Sequence, residues 1–464
     1  MSRPPLAIAL ALALACAACG EPAEVLVGEG LLVLEGATLI DGTGTEPRED
    51  SVIVVDGDRI RRVGNAGDFH FPDSARRRDV SGHFVLPGFI DMHVHVHPEA
   101  RIETVEALLD FGVTTIRSPG AAQSAGVELR DRIEAGRVRG PRMITGAAFI
   151  DGSPSRFDWT MPVASPDEMR DVVRQQAAAG ADMVKLYWDV TPELMAAAIE
   201  EAHALGLKVA GHIRATSWTQ AARLGIDSLV HSGGEGPTWE LVPERHRAQL
   251  RPLPYPEYYA RWLELVDLDG ELMSSLIAAL VDNDVTVDPT LVVMESLYFG
   301  DDPKVLERLE PQRAPASVVA LWGPDWRKRN PFVFTNPMGI LRAFTSGKEV
   351  FPVALRIVRR LHEGGVRLTA GSDLGMPWIT PGVSLHRELE LLVQAGIDEA
   401  DVIVMATRNG AEGLSLEDQL GTVEAGKLAD LVVLSADPLS DIRNTRSVAA
   451  VYKAGELVYS AALP

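Results

Sequence analysis

The middle of the chain alternates short apolar runs with helical segments, and this alternation constrains the fold more than any other feature. The runs that predict β-strands span residues 84–95, 113–116, 142–150, 182–188, 207–212, 228–231, 286–293 and 367–371. Helix-start signals lie between some of them, such as Ser165 before Pro166 and Thr191 before Pro192. Eight alternating units indicate the α/β class and predict a parallel sheet closed into a (β/α)8 TIM barrel. A doubly wound open sheet is the alternative, although no glycine-rich phosphate loop follows an early run.

Both ends of the chain have a different, all-β pattern. Short β-rich runs in the N-terminal part are separated by turn signals such as Asp56-Gly57-Asp58, and the C-terminal part repeats this pattern. We therefore predict a small β-sandwich domain that both chain ends form together. The predicted boundaries are 20–84 and 411–464 for the two parts of the sandwich and 85–410 for the barrel.

A long insertion at about residues 237–350 interrupts the predicted barrel. Insertions of this length in compact domains are usually lids or binding loops. Its aromatic residues are expected to line a substrate pocket or to form a satellite core, with neither alternative favoured. They are Trp239, Tyr255, Tyr258, Tyr259, Trp262, Trp322, Trp326, Phe332 and Phe334.

The N-terminus has the pattern of an export signal. Arg3 precedes an apolar run over residues 6–15, and Cys16 and Cys19 follow among small residues. The run is shorter than the roughly 20 residues of a membrane span. Small residues before a cysteine resemble a bacterial lipoprotein signal, for which Cys19 is a better lipidation site than Cys16. We predict a signal peptide over residues 1–19 and a periplasmic or membrane-anchored lipoprotein, with a simple cleaved signal as the alternative.

Charge and cysteine content exclude several classes of protein. The 464 residues include 44 Lys+Arg and 65 Asp+Glu, and the resulting net charge of −21 argues against a nucleic-acid partner. Cys16 and Cys19 are the chain's two cysteines, so the body has neither a disulfide framework nor thiolate metal ligands. We expect a small-molecule substrate and no membrane contact beyond a lipid anchor; a homo-oligomer remains open.

Side chains able to bind metals end five of the predicted strands. His93 and His95 end the first strand, and because alternate residues share a strand face, both imidazoles point the same way. The other strand ends carry Lys185, His212, His231 and Asp373. Barrel active sites form at the carboxyl ends of strands, so these side chains are expected to meet. A lysine buried there is costly unless it is paired or modified.

Together these motifs resemble the amidohydrolase superfamily. The resemblance rests on Pro-Gly-Phe-Ile-Asp-Met-His-Val-His at residues 87–95, on the later Lys, His, His and Asp in that order, and on residues 421–431. The set is most similar to the binuclear branch, in its prolidase-like and imidazolonepropionase-related members. The resemblance implies two divalent metal ions bridged by a carboxylated Lys185. It also implies that one ion is bound by His93, His95 and Asp373 and the other by His212 and His231.

The implied chemistry is hydrolysis by a metal-activated hydroxide. Imidazole and carboxylate ligands suit Zn, with Mn, Co or Fe as alternatives, and two ions hold hydroxide at neutral pH and polarise a carbonyl. Asp373 is then both metal ligand and general base, and passes the water proton to the leaving amine. His231 or Tyr187 is a candidate to stabilise the oxyanion. We therefore assign catalytic roles to Asp373, Lys185 and His231.

The substrate is open among several classes. Residues 213–215, Ile-Arg-Ala, follow His212 where prolidase-like members carry a second histidine and a glycine, a departure that bears on dipeptide specificity. Arg214 is a candidate partner for a substrate carboxylate, with a surface ion pair as the alternative, and Tyr187 is a candidate substrate contact. We predict a hydrolase of the amide C–N bond in a dipeptide or an N-acyl amino acid. The alternatives are a lactone or phosphotriester hydrolase, a cyclic-amide hydrolase or deaminase without a bridging lysine, and an exported binding protein with an inactive site.

Four polar residues near these motifs are predicted to be structural. His203 is expected to face solvent on a helix, and His386 is expected to be a core or hydrogen-bonding residue. Asp91 lies on the opposite strand face from the histidines, where it would support them. His97 precedes Pro98, which argues that the strand has already ended.

Overall fold

The computed structural model describes residues 23–28, 30–96, 101–120, 125–155, 159–232, 239–250, 253, 257–322 and 337–461. The predicted signal peptide with Cys16 and Cys19 lies outside these residues, as do His97 and four aromatic residues of the insertion, Tyr255, Trp326, Phe332 and Phe334. Within the described ranges, no helix combines the length and the apolar character needed to cross a lipid bilayer.

Strands and helices are numbered in chain order among the described residues. The strands are β1 (Glu24–Val25), β2 (Leu32–Leu39), β3 (Arg48–Asp56), β4 (Arg59–Asn65), β5 (Phe69–His70), β6 (Arg76–Asp79), β7 (Phe84–Pro87), β8 (Phe89–Asp91), β9 (Val113–Ser118), β10 (Arg142–Thr145), β11 (Ile150–Gly152), β12 (Met161–Val163), β13 (Met183–Leu186), β14 (Lys208–Gly211), β15 (Ser228–Val230), β16 (Thr286–Asp288), β17 (Leu431–Leu434), β18 (Val448–Lys453) and β19 (Glu456–Ser460). The helices are α1 (Arg101–Leu109), α2 (Ala125–Glu134), α3 (Pro166–Ala178), α4 (Pro192–Ala204), α5 (Trp218–Leu224), α6 (Glu244–Arg247), α7 (Glu257–Leu265), α8 (Glu271–Asp282), α9 (Leu291–Phe299), α10 (Pro303–Arg308), α11 (Ala316–Leu321), α12 (Pro337–Glu363), α13 (Val383–Gln394), α14 (Glu399–Met405) and α15 (Arg408–Gly413).

Strands from both ends of the chain form one sheet. Its order is β19-β18-β17-β7-β2-β3-β4, and β6 also pairs with β2. The C-terminal strand β17 runs antiparallel to β7, with Val433 opposite Val85. Leu34, Ile53 and Leu431 are among the side chains buried in the core of this sheet. The two ends of the chain are therefore joined by backbone pairing.

The middle of the chain is an α/β structure with parallel strands. One parallel sheet has the order β10-β9-β8, and a second has the order β12-β11-β13-β14-β15-β16. Isolated parallel bridges also connect Gly146 to Met183, Val287 to Leu368 and Val94 to Leu374. The carboxyl ends of parallel strands lie at one edge of a sheet, so residues that follow these strands are brought together.

A buried arginine reaches strands of both parallel sheets. Arg117 of β9 donates from Nε to the carbonyl oxygen of Met92 at 2.7 Å and from Nη1 to Ser228 Oγ of β15 at 2.8 Å. Its Nη2 lies 3.5 Å from Asp288 Oδ2 on β16. One side chain therefore links β9 of the first sheet to β15 and β16 of the second.

The predicted strand over residues 84–95 is divided between two sheets. Phe84–Pro87 form β7 in the sheet of the chain ends, whereas Phe89–Asp91 form β8 beside β9. Gly88 separates them, and a Cβ there would lie 2.1 Å from Thr114 Oγ1, so a larger residue does not fit. His93 and His95 therefore follow β8 instead of ending one long strand.

Three other predicted strands are shorter than expected or form only a bridge. The predicted strand over residues 142–150 is divided into β10 and β11, and residues 367–371 contribute the single bridge of Leu368. The strand predicted to reach residue 293 is wrong beyond Asp288, because Pro289 has no N–H for the ladder and α9 begins at Leu291.

The predicted helix starts are confirmed. Ser165 Oγ accepts the amide of Glu168 at 3.3 Å and caps α3, and Thr191 Oγ1 accepts the amide of Leu194 at 3.4 Å and caps α4. His386 is buried on α13, where its Nε2 lies 3.0 Å from the carbonyl oxygen of Phe111, as expected for a core histidine.

The described aromatic residues of the insertion lie mainly in cores. Trp262 and Tyr258 belong to the main hydrophobic core. Trp322 packs in a small separate cluster, with its ring 5.8 Å from that of Trp378. Trp239 is more exposed, and its indole N–H donates to the carbonyl oxygen of Arg214 at 3.3 Å. The insertion therefore approaches the candidate substrate residue Arg214 through Trp239 and Tyr258.

Candidate metal centre and active site

Three predicted ligands converge beyond the carboxyl end of β8. The Nε2 atoms of His93 and His95 lie 3.1 Å apart. Asp373 Oδ1 lies 3.7 Å from Nε2 of His93 and 3.4 Å from Nε2 of His95. One candidate ligand atom from each residue falls within a mutual distance of 4.8 Å. Among the described His, Cys, Asp and Glu residues, these three form the group able to hold a metal ion.

Hydrogen bonds at the far side of each ring prepare these histidines for a cation. His95 Nδ1 donates to the carbonyl oxygen of Gly120 at 3.0 Å, and His93 Nδ1 donates to Asp288 Oδ2 at 2.9 Å. With the proton of each neutral ring on Nδ1, both Nε2 atoms carry lone pairs, which face each other. A carboxylate or carbonyl behind the imidazole is the arrangement that orients metal-ligating histidines.

Asp91 joins the two segments that carry these ligands. Its Oδ1 accepts the amides of His93 at 3.1 Å and Ser372 at 2.9 Å, and its Oδ2 accepts the Ser372 hydroxyl at 2.6 Å. Asp373, which directly follows Ser372, has a backbone φ of 55°. Non-glycine residues in this left-handed region are strained and concentrate at functional sites. The supporting position predicted for Asp91 matches its contacts.

The other two predicted histidine ligands extend the cluster. The ring of His231 lies 4.8 Å from that of His93, and the ring of His212 lies 4.5 Å from that of His231. Thr290 Oγ1 donates to the carbonyl oxygen of Pro289 and therefore accepts the Nδ1 proton of His231 at 2.7 Å, which leaves the His231 Nε2 lone pair for a ligand.

His212 has a different environment from the other three rings. The indole N–H of Trp188 donates to its Nε2 at 2.9 Å. A neutral imidazole carries one proton, so Nδ1 is protonated in this arrangement. Metal binding by His212 therefore requires that its contact with Trp188 gives way or that its ring turns.

Lys185, on β13, is close enough to His93, His231 and Asp373 for its charge to shift their pKa values. The side chain is 1% exposed, and its Nζ makes no hydrogen bond to any part of the chain that the structure describes. Burial, helped by the positive charge of Arg117, lowers the pKa of Lys185 to about 7. A substantial fraction of this amine is therefore neutral, and nucleophilic, at neutral pH.

Burial also sets the charge of the surrounding groups. It lowers the pKa of His93 and His231 well below the ordinary value and that of His95 to about 4. Burial raises the pKa of Asp373 to about 7, against the opposing charge of Lys185. The imidazoles are therefore neutral, which is the form that binds metals.

Sequence reasoning missed Asp288, Thr290 and Gly371. Asp288 and Thr290 hold the Nδ1 atoms of two histidines, and Gly371 leaves room for the carboxylate, since a Cβ there would lie 2.4 Å from Asp288 Oδ1. Asp288 follows the two β-branched residues Thr286 and Val287, immediately before a proline. A polar residue at the end of a seventh strand was the available signal.

Replacing Asp288 with asparagine is expected to weaken metal binding by about 10- to 100-fold, because His93 would lose the carboxylate that fixes its tautomer. Competition with a chromogenic chelator measures this affinity. The matched control is Asp284→Asn, because Asp284 lies four residues earlier and its side chain is 77% exposed. Equal metal affinity in the wild type and in Asp288→Asn would contradict the assigned role of Asp288.

The two candidate substrate residues flank the His212 side of the cluster. The ring of Tyr187 lies 4.8 Å from that of His212. The guanidinium of Arg214 lies 5.4 Å from the ring centre of Trp188 and 5.1 Å from that of Tyr258, so two aromatic faces hold it. Arg214 is half-buried, and no ion pair of Arg214 is found among the described side chains. This setting differs from that of an ordinary surface ion pair.

Parallel α/β sheets with a His-His-Asp cluster beyond their carboxyl ends define a class of metal-dependent enzymes. The amidohydrolase family profile matches residues 84–233 and 346–458. The chain therefore belongs to the amidohydrolase family and is a hydrolase that acts on carbon–nitrogen bonds. The range without a match, 234–345, overlaps the predicted insertion.

Relatives of this chain have more than one activity. An adenine deaminase from Deinococcus deserti is 28% identical over 78% of this chain and 67% of that protein. An imidazolonepropionase from Micrococcus luteus is 24% identical over 83% of this chain and 88% of that protein. Among solved structures, a Xaa-Pro dipeptidase with bound methionine has a TM-score of 0.69 at 23% identity, covering 93% of this chain and 100% of the other. At this identity the structural similarity establishes a shared fold.

Proposed function

We propose that this protein hydrolyses the amide bond of an N-acyl amino acid or dipeptide, with two divalent metal ions bound on a closed (β/α)8 barrel. The observation that carries the proposal is the cluster of His93, His95 and Asp373 beside a buried, unpartnered Lys185. The parallel bridges between the sheets and the contacts of Arg117 support barrel closure.

The donor set fits two ions of the zinc type, with Mn, Co or Fe as alternatives. The opposed lone pairs of His93 and His95 are compatible with a cation between them and Asp373. His231 and His212 would hold the second ion, with the His212 ring released from the indole N–H of Trp188. The unpartnered Nζ of Lys185 fits a bridging carbamate, which forms when the neutral amine attacks the carbon of CO2 and releases one proton. When bound, the ions supply Lewis acidity, which lowers the pKa of water and polarises a carbonyl oxygen.

Asp373 carries the proton in the proposed reaction. Its carboxylate accepts a proton from the attacking water and then donates it to the nitrogen of the leaving amine as the C–N bond breaks. Burial raises the pKa of this carboxyl to about 7, which makes it a stronger base for the first transfer. The ring of Tyr187 lies 4.8 Å from that of His212, and Tyr187 is the proposed partner of the carbonyl oxygen. His231 directs its Nδ1 proton to Thr290, so its proposed role is that of a metal ligand.

Arg214 is the proposed partner of the substrate carboxylate. Its guanidinium is fixed between two aromatic rings, which leaves its planar edge for a bidentate contact. Lysine cannot reproduce both the ring stacking and the bidentate geometry.

Replacing Arg214 with lysine is expected to raise KM for an N-acyl amino acid by about 10- to 100-fold, because a charged hydrogen-bonded pair is lost. The amide of the same compound, which has no carboxylate, should be affected far less. A panel of dipeptides, N-acyl amino acids and their amides measures both effects. An equal rise in KM for the acids and for their amides would contradict the role assigned to Arg214. If the metal-loaded wild type hydrolysed no member of the panel, the proposed function would be contradicted.

A second candidate is a deaminase or cyclic-amide hydrolase, which the named activities of the two relatives favour. Such sites generally do without a bridging lysine, so the buried position of Lys185 favours the binuclear amide hydrolase.

We further propose that the enzyme lies outside the cytoplasm and is anchored through Cys19. This part of the proposal rests on the sequence of residues 1–22 alone.

A further inference from the structure

We propose that three aromatic side chains beside the metal cluster form a subsite for a large apolar, preferentially aromatic, acyl group of the substrate. The three are Phe149, Trp159 and Tyr187, and we call them the aromatic wall. This inference rests on the proposed function, because it specifies which amide substrates that site accepts.

The aromatic wall is a connected set of rings. The ring of Phe149 lies 4.9 Å from that of Trp159 and 5.5 Å from that of Tyr187, and the rings of Trp159 and Tyr187 are 5.1 Å apart. All three pairs are close to edge-to-face, which is a favourable arrangement for aromatic rings. Trp159 remains 44% exposed, so the wall presents an apolar face to solvent.

The aromatic wall contacts a proposed ligand of each metal ion, His95 and His212. The ring of Phe149 lies 5.5 Å from that of His95, and the ring of Tyr187 lies 4.8 Å from that of His212. Phe149 also packs on Gly120, where a Cβ would come within 2.8 Å of its ring. A substrate carbonyl near the histidines would therefore place one of its substituents against these rings.

A buried carboxylate holds the two segments of the wall together. Asp151 Oδ1 accepts the amides of Gly152 at 2.8 Å and Asp189 at 2.7 Å, and its Oδ2 accepts the Ser155 hydroxyl at 2.7 Å. Ser155 Oγ in turn lies 2.7 Å from Thr160 Oγ1. Asp151 thus links the segment that carries Trp159 to the backbone just after Tyr187. These hydrogen bonds fix the position of the segment that carries the exposed Trp159.

Charge assigns the wall to the acyl side of the substrate. Arg214, the proposed carboxylate partner, lies against Trp188, whose ring stacks on that of Tyr187 at 6.1 Å. The rings of Trp159 and Phe149, in contrast, contact Tyr187 edge to face at 5.1 and 5.5 Å. The wall itself contains no charged side chain. With the carboxylate of the leaving amino acid at Arg214, the acyl group is the substituent that reaches the wall.

The test compares three substrates that share one amino acid and differ in the acyl group: N-acetyl, N-hexanoyl and N-(3-phenylpropanoyl). We expect kcat/KM to rise in that order, with at least about tenfold between the first and last. Trp159→Ala should reduce this ratio about tenfold, and Trp159→Phe should restore most of it. The control is Leu205→Ala, since Leu205 is 45% exposed and follows α4 at the opposite end of the strands.

Binding is measured separately from turnover with the matching reduced-amide analogues, in which CH2–NH replaces the amide, by calorimetry. If the affinity of the analogues rises in the same order of acyl groups, the subsite is supported, even if no substrate is hydrolysed. In that case only the proposed hydrolytic function is contradicted. A ratio that Trp159→Ala leaves unchanged, or a preference that follows the amino-acid side instead of the acyl side, would overturn the subsite while hydrolysis itself persists.

Discussion

Replacing Asp373 with asparagine is expected to lower kcat/KM for amide hydrolysis by about a thousandfold or more. Asp373 contributes an oxygen to the cluster with His93 and His95 and is the proposed proton carrier. An amide oxygen is a weaker metal ligand and does not take up a proton at neutral pH. General base catalysis alone is typically worth about 10²- to 10⁴-fold. Steady-state kinetics on a metal-saturated preparation measure the loss.

The matched control for this variant is Asp171→Asn. Asp171 lies on the surface of α3, with a side chain that is 64% exposed. Its replacement should leave kcat/KM within about twofold of the wild type, as expected for surface substitutions. If Asp373→Asn retained more than a tenth of the wild-type kcat/KM, Asp373 would not be the proton carrier.

Replacing Lys185 with alanine is expected to remove the second metal ion together with most of the activity. The carbamate proposed at Nζ would bridge the two ions, and β13 has no acidic residue of its own that could replace it. The variant should retain at most one ion per chain, held by His93, His95 and Asp373, and lose about a thousandfold in kcat/KM. Elemental analysis after dialysis and kinetics on the same sample provide both readouts.

Lys208→Ala is the matched control for Lys185→Ala. Lys208 lies on the neighbouring strand β14, where Met183 pairs with it, but its side chain is 45% exposed and forms an ion pair with Asp227. This variant should keep two ions and near-normal kinetics. A Lys185→Ala protein that held two ions and retained its activity would refute the binuclear arrangement.

The predicted ligands could be recognised from sequence because each lies in or shortly after a short apolar run. His93 and His95 alternate in an extended segment, and Lys185, His212 and His231 each lie in or directly after a short apolar strand, so one local pattern placed them at the same edge. The paired strands β7 and β17 could likewise be read from β-rich runs at the chain ends, although their partnership depends on tertiary contacts.

The supporting residues could not be predicted in the same way. Asp288 and Thr290 act on histidines that lie 195 and 59 residues away in the sequence, and no local pattern pairs residues so far apart. The division at Gly88 depends on the close approach of Thr114. The aromatic wall combines Phe149, Trp159 and Tyr187 from three segments, whereas the sequence draws attention to the aromatic residues of the insertion. Tertiary proximity decides these features: a polar residue at the end of a strand marks Asp288 as a candidate, but it does not show which histidine Asp288 supports.

The most direct test of the account is a metal titration of the stripped protein, followed by hydrolysis of an N-acyl amino acid. Dialysis against a chelator should abolish activity, and stepwise addition of Zn²⁺ in bicarbonate-containing buffer should restore it until two equivalents per chain are bound. Full activity at one equivalent, or activity that survives complete removal of metal, would contradict the binuclear amide hydrolase proposed for this chain.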